Sequence, residues 1–360
     1  MKKSSLLTAA ALTGAAVMLL AGCSGSGGGT PTDGGDEGTG EAGRACVILP
    51  DAASSPRWEN FDRKYLQEGL EGAGFEVDIQ NAQGDVNKYS TIADQQLTQG
   101  CGVMLLVDYQ GAAESVAAKA KAEGIPVIAY DRPFTGADYY VSFDNVKVGE
   151  MEGQTVLDGL EAAGKDPATS VVVYMGGDPT DGNAAMFKEG AVNIMEAAGI
   201  TAAAEPPGIW DQAKSQTNFE QALTGLGGKV DGVWVANDTN AAGVIKVLQD
   251  NNLTGVAVSG QDANVAGLQN ILLGWQTATV YKPVADEAKA AVDTAIALLN
   301  GDTVSTDTKL DDGTPYIQVT PILIKPDSVK DVVAAGDAAF DDVCTPDVAA
   351  KCEEFGVVAP

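Results

Sequence analysis

The chain has 360 residues and a formal net charge of −28, from 22 lysines and arginines against 50 aspartates and glutamates, and it contains no histidine. Such an excess of negative charge repels phosphate and argues against a nucleic-acid scaffold. The lack of histidine excludes Ser-His-Asp and Cys-His catalysis and histidine-ligated zinc. The length suits two domains of roughly 150 residues each, and the hydrophobic fraction of 45% is typical of a globular protein.

The first 44 residues have the pattern of a targeting segment followed by a flexible tether. Lys2 and Lys3 precede an apolar run at 6–20, and the sequence LAGC at 20–23 resembles the lipobox of bacterial lipoproteins. We therefore expect a signal peptide at 1–22, cleavage before Cys23 and lipidation of its thiol. The alternative is an ordinary secretory peptide with a chance cysteine. Residues 24–44 are rich in glycine and polar residues, which predicts a flexible tether.

From Cys46 onward, strand patterns alternate with helix patterns through short connections. Apolar runs predict strands at 46–50, 75–79, 103–107, 125–130, 139–143, 170–175, 233–236, 256–259, 279–281 and 316–324, with a further strand before Trp210. Amphipathic stretches predict helices at 58–73, 88–99, 112–123, 149–160, 184–198 and 285–299. The repeated βα pattern predicts an α/β fold with two doubly wound parallel-sheet lobes, followed by a terminal appendage after Pro326.

Four cysteines remain once Cys23 is assigned to lipid. Cys46 opens the first strand and Cys101 precedes the strand at 103–107, and these two strands are neighbours in a doubly wound sheet. We therefore predict a Cys46–Cys101 disulfide and, from their short separation, a Cys344–Cys352 disulfide, both permitted by an exported compartment. The alternative is buried or free thiols.

Polar residues follow nearly every predicted strand, at the sheet edge where open parallel sheets bind ligands. Nine of them are candidate ligand-binding residues: Arg57, Trp58, Asp131, Arg132, Asn183, Trp210, Asn237, Asp262 and Lys282. Their mixture of donors and acceptors suits sugar hydroxyls, and the two tryptophans suit the apolar face of a pyranose.

Other polar residues at these strand ends have simpler interpretations. We interpret Asp178, Asp181 and Asp238 as helix caps or turn residues. A phosphate cradle at the Gly176-Gly177 turn is disfavoured, because no lysine followed by serine or threonine comes after it and the net charge opposes anions.

Seven short motifs occur in an order that resembles the periplasmic sugar-binding proteins of ABC importers with the type I fold, most closely the members that bind D-xylose. They are RW at 57–58, AYDR at 129–132, SFDN at 142–145, GNA at 182–184, AND at 236–238, SGQDA at 259–263 and TVYKP at 279–283. The resemblance covers residues 47 to about 328. The sequence departs from the xylose pattern at Gly182, where asparagine is usual, and in the two-cysteine tail.

The resemblance implies a sugar held between two lobes that close over it. It implies hydroxyl contacts from the polar members of the nine candidates, stacking by Trp58 and Trp210, and crossovers near Asp144, Thr279 and Thr320. The first lobe is then 45–144 plus 280–312, the second 145–279 plus 313–330, and the tail 331–360. The implied function is a monomeric, lipid-anchored, extracytoplasmic receptor that delivers an aldose, D-xylose or a related sugar, to an ABC permease.

Three other functions stay open from the sequence. A sensor for chemotaxis or signalling would share the same lobes and ligand. A glycosidase would need paired carboxylates such as Asp131 and Asp262, but Arg132 next to Asp131 favours the ionised form of that carboxyl. A transcription regulator would need a basic helix-turn-helix before the lobes, where the sequence has a signal and an acidic linker. We expect no enzymatic activity, no cofactor, no metal ion and no nucleic-acid partner.

Overall fold

The structure is a computed structural model that describes residues 43–359. The predicted signal peptide and the lipidation of Cys23 lie outside the described residues. Within them, no helix is long and apolar enough to cross a membrane.

Strands and helices alternate along the described chain. The strands are β1 (Arg44–Leu49), β2 (Glu76–Asn81), β3 (Val103–Leu106), β4 (Val127–Tyr130), β5 (Tyr139–Phe143), β6 (Val172–Met175), β7 (Ala202–Ala204), β8 (Gly232–Val235), β9 (Ala257–Val258), β10 (Thr279–Tyr281), β11 (Tyr316–Val319) and β12 (Ile322–Ile324). The helices are α1 (Arg63–Gly72), α2 (Val86–Thr98), α3 (Ala112–Ala122), α4 (Asn145–Ala162), α5 (Gly182–Ala197), α6 (Gln212–Gly225), α7 (Asp238–Asp250), α8 (Val265–Leu273), α9 (Val284–Leu299), α10 (Val329–Ala335), α11 (Phe340–Val343) and α12 (Ala349–Glu354).

The first sheet has six parallel strands in the order β11-β5-β4-β3-β1-β2. The four inner strands β1, β3, β4 and β5 are buried on both faces, whereas the edge strands β2 and β11 are partly exposed. In β1, Cys46 and Ile48 enter one apolar cluster, whereas Val47 and Leu49 enter the cluster on the other face. We call this sheet and the helices packed on it the first lobe.

The second sheet has four parallel strands in the order β7-β6-β8-β9, and the two-stranded antiparallel pair β10-β12 is joined to it through a Gln261–Val280 bridge. We call these strands and their helices the second lobe. The chain passes between the lobes after β5, after β10 and after β11. The α/β class, the parallel sheets and the three crossovers are therefore confirmed.

The predicted closing strand at 316–324 differs from the structure. It breaks at Pro321 into β11, which pairs with β5 in the first sheet, and β12, which pairs with β10. The placement of residues 313–319 in the second lobe was therefore wrong. A proline has no N–H to donate to a strand ladder, and a break here lets the chain leave one sheet and enter the other pair.

Both predicted disulfides are present in the structure, Cys46–Cys101 and Cys344–Cys352. The second lies in the appendage formed by α10, α11 and α12. This appendage packs on α8, β10 and β12 through an apolar cluster of its own, so it is an integral part of the second lobe's surface.

Candidate functional site

The predicted site residues lie around one cavity between the lobes. This cavity lies at the carboxyl ends of strands from both sheets and is partly open to solvent. All nine candidate ligand-binding residues line it. The other lining residues are Ser54, Ser55, Asp181, Phe187 and Gln261.

Arg57 lies at the centre of a buried charge cluster in the first lobe. Its Nε donates to Asp62 Oδ2 (2.9 Å), its Nη1 to Asp131 Oδ2 (2.9 Å), and its Nη2 to Asp62 Oδ1 (2.7 Å) and to Glu287. A guanidinium has five N–H donors, and these contacts use four. The fifth, on Nη1, makes no hydrogen bond within the described residues.

A wide helical turn explains how Arg57 meets Asp62. Residues Trp58–Asp62 form a π-helical segment before α1, where a single regular helix was predicted. In a π-helical turn, residues five apart lie one above the other, so the side chains of Arg57 and Asp62 share a face. The sequence pattern of apolar residues does not distinguish this turn from a regular one.

Asp131 presents its carboxylate from a strained backbone. Its φ of 61° lies in the left-handed region, directly after β4. Burial alone raises the pKa of Asp131, but the charges of Arg57, Lys282 and Arg132 outweigh it and hold the pKa below its ordinary value. Asp131 is therefore an ionised hydrogen-bond acceptor at neutral pH.

The second lobe supplies a matching pair. Lys282 Nζ, directly after β10, lies 3.0 Å from Asp262 Oδ1. Asp262 also has a left-handed backbone, with φ of 95°. Lys282 is buried, which lowers its pKa, but the carboxylates of Asp262 and Asp131 outweigh burial and raise the pKa above its ordinary value. Each lobe thus contributes a strand-end carboxylate paired with a cation.

The two predicted stacking tryptophans have different environments. Trp58 is only 2% exposed, and the guanidinium groups of Arg57 and Arg132 lie 4.7 Å and 5.4 Å from its ring centroid. Trp210 is half-buried, and its ring passes so close to Gly177 that a Cβ there would lie 2.0 Å from Cζ2. The glycine turn at 176–177 therefore makes room for Trp210.

The two asparagines are held by their surroundings. Asn183 Oδ1 accepts hydrogen bonds from Tyr140 and Asn145, and its Nδ2 donates to the backbone oxygen of Asp131 at 2.8 Å. Asn237 Oδ1 caps α7 by accepting from the backbone N–H of Asn240. The first asparagine therefore joins the two lobes, and the second orients its amide group at the cavity wall.

The three aspartates interpreted as caps have three different outcomes. Asp178 accepts from the backbone and hydroxyl of Thr180, as a turn residue does. Asp181 caps α5, but its Oδ2 also lies 3.2 Å from Arg132 Nε and accepts from Trp210 Nε1. It therefore belongs to the site as well as to the helix.

Asp238 is not a cap, so that interpretation was wrong. The cap of α7 is Asn237, and Asp238 is fully buried, accepting hydrogen bonds from Gln276, Thr279 and the backbone of Asn264. Burial raises the pKa of Asp238 to about 8, although the hydrogen bond from Gln276 opposes the shift. Its contacts hold the loop that presents Asp262.

Sequence reasoning missed Asp62 and Glu287, since neither follows a strand. Both are fully buried against Arg57. Burial raises the pKa of Glu287 well above its ordinary value, although Arg57 opposes the shift. The available signal was an acidic residue on the apolar face of the predicted helix at 285–299. Among residues 43–359, no group of three or more acidic or cysteine side chains is placed to hold a metal ion.

Known proteins resemble the chain along most of its length. Residues 46–303 match the periplasmic binding protein domain family. The D-xylose-binding periplasmic protein of Escherichia coli is 34% identical over 77% of this chain and 85% of its own length, and a multiple sugar-binding periplasmic receptor of Rhizobium radiobacter is 29% identical over 93% and 98%. The structure of an ABC transporter solute-binding protein from Clostridium phytofermentans with bound β-D-glucose superposes with a TM-score of 0.74 at 25% identity, over 83% of this chain and 99% of that one. The chain therefore belongs to the family of type I periplasmic sugar-binding proteins.

Proposed function

We propose that the protein is an extracytoplasmic receptor that captures an aldose, D-xylose or a related sugar, between its lobes and delivers it to an ABC permease. The observation that carries the proposal is the single cavity lined by all nine residues that the sequence marks as sugar contacts. Membership of the family supports the extracytoplasmic location.

The cavity has the chemistry that a sugar needs. A sugar hydroxyl donates one hydrogen bond and accepts others. The carboxylates of Asp131 and Asp262 accept, whereas Arg57 Nη1 and Lys282 Nζ donate. Because these groups are buried and already held in place, binding costs little further ordering of side chains.

Trp210 is the better of the two candidate stacking residues. Its indole N–H is fixed on Asp181, and its half-buried ring is available to the apolar face of a pyranose. Trp58 instead orients two guanidinium groups. We assign Trp58 to the support of Arg57 and Arg132, with stacking left to Trp210.

The same pairing disfavours a glycosidase. A retaining or inverting mechanism needs one carboxyl group that is protonated at working pH and can act as an acid. Asp131 has a lowered pKa, and Asp262 is paired with a buried lysine. Binding without bond cleavage is the function that this arrangement supports.

The test of the binding function is calorimetric titration of the purified chain with xylose, arabinose, ribose, glucose and galactose. We expect a dissociation constant in the micromolar range or tighter for at least one of them. Absence of binding to the whole panel would refute the proposal.

The anchor and the permease are separate parts of the proposal. We propose that Cys23 carries the lipid and that the protein works as a monomer beside the membrane. A Cys23→Ser variant is expected to leave the membrane fraction, with intact-mass measurement showing loss of the acyl chains. Unchanged membrane attachment would contradict the anchor and leave sugar binding unaffected. Delivery to the permease is tested by measuring sugar uptake in cells that lack the gene, which should take up less of the sugar than cells that carry it.

A further inference from the structure

We propose that Gly182 determines how closely the two lobes meet over the ligand, and thereby how tightly the sugar is held. The inference rests on the proposed sugar-binding function. It concerns a residue outside the lining of the sugar cavity, at the point where the first turn of α5 meets the loop after β4.

Three consecutive residues of the second lobe contact three consecutive residues of the first. Asp181 Oδ2 lies 3.2 Å from Arg132 Nε, and Asn183 Nδ2 donates to the backbone oxygen of Asp131 at 2.8 Å. Between them, Gly182 faces Pro133. We call this junction, residues 131–133 against 181–183, the clasp.

The clasp has no room for a side chain at Gly182. A Cβ built there would lie 2.7 Å from Cγ of Pro133 and 3.5 Å from its Cδ. Real Cβ atoms do not approach other atoms this closely, and the ring of a proline is fixed to its backbone, so the neighbour yields little. A side chain at this position must therefore separate the two segments.

The need for glycine comes from this contact and not from the backbone. Gly182 is not among the glycines with positive φ, and it is the first residue of α5. Alanine is intrinsically a better helix former than glycine. Substitution by alanine should therefore leave α5 at least as stable, and any loss of sugar affinity would have to come from the junction.

The clasp also closes the sugar cavity on one side. A larger outer cavity, lined by residues that include Asp51, Tyr109 and Lys214, shares Ser54, Arg132, Asp181 and Trp210 with the sugar cavity. These four shared residues form a hydrogen-bonded row. Arg132 Nη2 donates to Ser54 Oγ (3.1 Å), Arg132 Nε faces Asp181, and Trp210 Nε1 donates to Asp181 (3.0 Å).

The hydrogen-bonded row separates the sugar from the outer cavity only while residues 181–183 remain in contact with residues 131–133. Asp181 belongs both to the row and to the clasp, next to Gly182. Moving the first turn of α5 away from Pro133 would lengthen the contact of Asp181 with Arg132 and open the sugar cavity towards solvent. The bound sugar would then dissociate faster.

The experiment compares Gly182→Ala with the wild-type chain by calorimetry and stopped-flow fluorescence, using the aldose that the wild type binds most tightly. We expect affinity at least tenfold weaker, carried mainly by faster dissociation, with the thermal unfolding temperature of the ligand-free protein unchanged or higher. Gly225→Ala is the matched control, because a Cβ on this glycine of α6 meets no atom within 4 Å. It should bind as the wild type does.

A second variant tests the contact itself. In a Pro133→Ala background the ring that meets residue 182 is gone, so adding Gly182→Ala should weaken binding by less than threefold. Gly182→Ala with affinity within twofold of wild type, or an equal loss in both backgrounds, would overturn the inference while the sugar-binding function stands. A wild-type chain that binds no aldose would overturn both.

Discussion

Arg57 Nη1 donates to Asp131 Oδ2 over 2.9 Å, and both side chains are more than nine-tenths buried. The pair joins a residue that precedes α1 to the loop after β4, two segments 74 residues apart in the chain. Because both groups are already desolvated and oriented, the first lobe presents a fixed acceptor and a fixed donor to the cavity. The following predictions test how this pair, its counterpart in the second lobe and the surrounding framework contribute.

Replacing Asp262 by alanine should weaken sugar binding by at least about 2 kcal/mol, or roughly 30-fold. The change removes an acceptor from the cavity and leaves Lys282 buried without its 3.0 Å partner. Calorimetry measures the effect. Asp250→Ala is the control, because this aspartate is exposed and pairs with Lys246 on the same helix. Affinity within twofold of wild type would remove Asp262 from the site.

Replacing Glu287 by glutamine should weaken sugar binding less than threefold, whereas alanine should weaken it at least tenfold. Burial raises the pKa of Glu287 and so favours its neutral form, and glutamine retains the shape of that form and an oxygen that can accept from Arg57. Alanine would leave the guanidinium short of one buried partner. Calorimetric titration of both variants with the sugar at pH 7 measures the two losses of affinity. Asp286→Ala, which changes an exposed neighbour, is the control. Equal losses for glutamine and alanine would show that the negative charge of Glu287 is needed beside Arg57.

The contribution of Asp238 to the free energy of unfolding should fall as the pH rises. Its pKa is about 8 in the folded state against an ordinary 3.8, so the folded state holds a proton between those values that the unfolded state has released. Its contribution to the free energy of unfolding then falls with rising pH, by up to about 1.4 kcal/mol per pH unit in that window. Asp238→Asn abolishes this contribution.

Urea unfolding at pH 5, 6, 7 and 8 measures the difference. We expect the stability of Asp238→Asn relative to wild type to increase steadily across the series, while that of the surface control Asp250→Asn stays flat. Parallel profiles for Asp238→Asn and wild type would show that the carboxyl is ionised throughout.

The two disulfides should contribute unequally to stability. Cys46 and Cys101 are 55 residues apart, and Cys344 and Cys352 only 8 apart. The entropy of closing these loops in the unfolded chain predicts a loss of about 4 kcal/mol for replacing the first pair by alanines and about 2.5 kcal/mol for the second. Denaturant unfolding of the two double variants checks the order. A larger loss for the tail pair would contradict it.

The grouping of the nine candidate residues around one cavity could be predicted because most of them lie shortly after strands. Asp131 and Asp262 each come directly after an apolar run, and parallel strands of one sheet end at the same edge, so local sequence already brings such residues together. The Cys46–Cys101 pair was predictable on similar grounds, because β1 and β3 are neighbouring parallel strands, and the Cys344–Cys352 pair was predictable from its short separation. The fold class depends on the same local βα alternation.

The supporting residues could not be predicted in this way. Asp62 reaches Arg57 only because a π-helical segment aligns residues five apart, and Glu287 reaches it from a helix 230 residues away. Asp238 looks like a helix cap from its position, yet its neighbour Asn237 makes the cap and Asp238 is turned inward.

By itself, the amino-acid sequence determined the order of strands and helices, the strand-end carboxylates and cations, and the two cysteine pairs, because each depends on short-range patterns or on neighbouring parallel strands. Only the tertiary structure decided which residues hold those groups in place. It also decided that β11 joins the first sheet and that Gly182 has no room for a side chain beside Pro133. These features depend on contacts between segments far apart in the chain. A local sequence pattern carries no information about which distant segments come into contact.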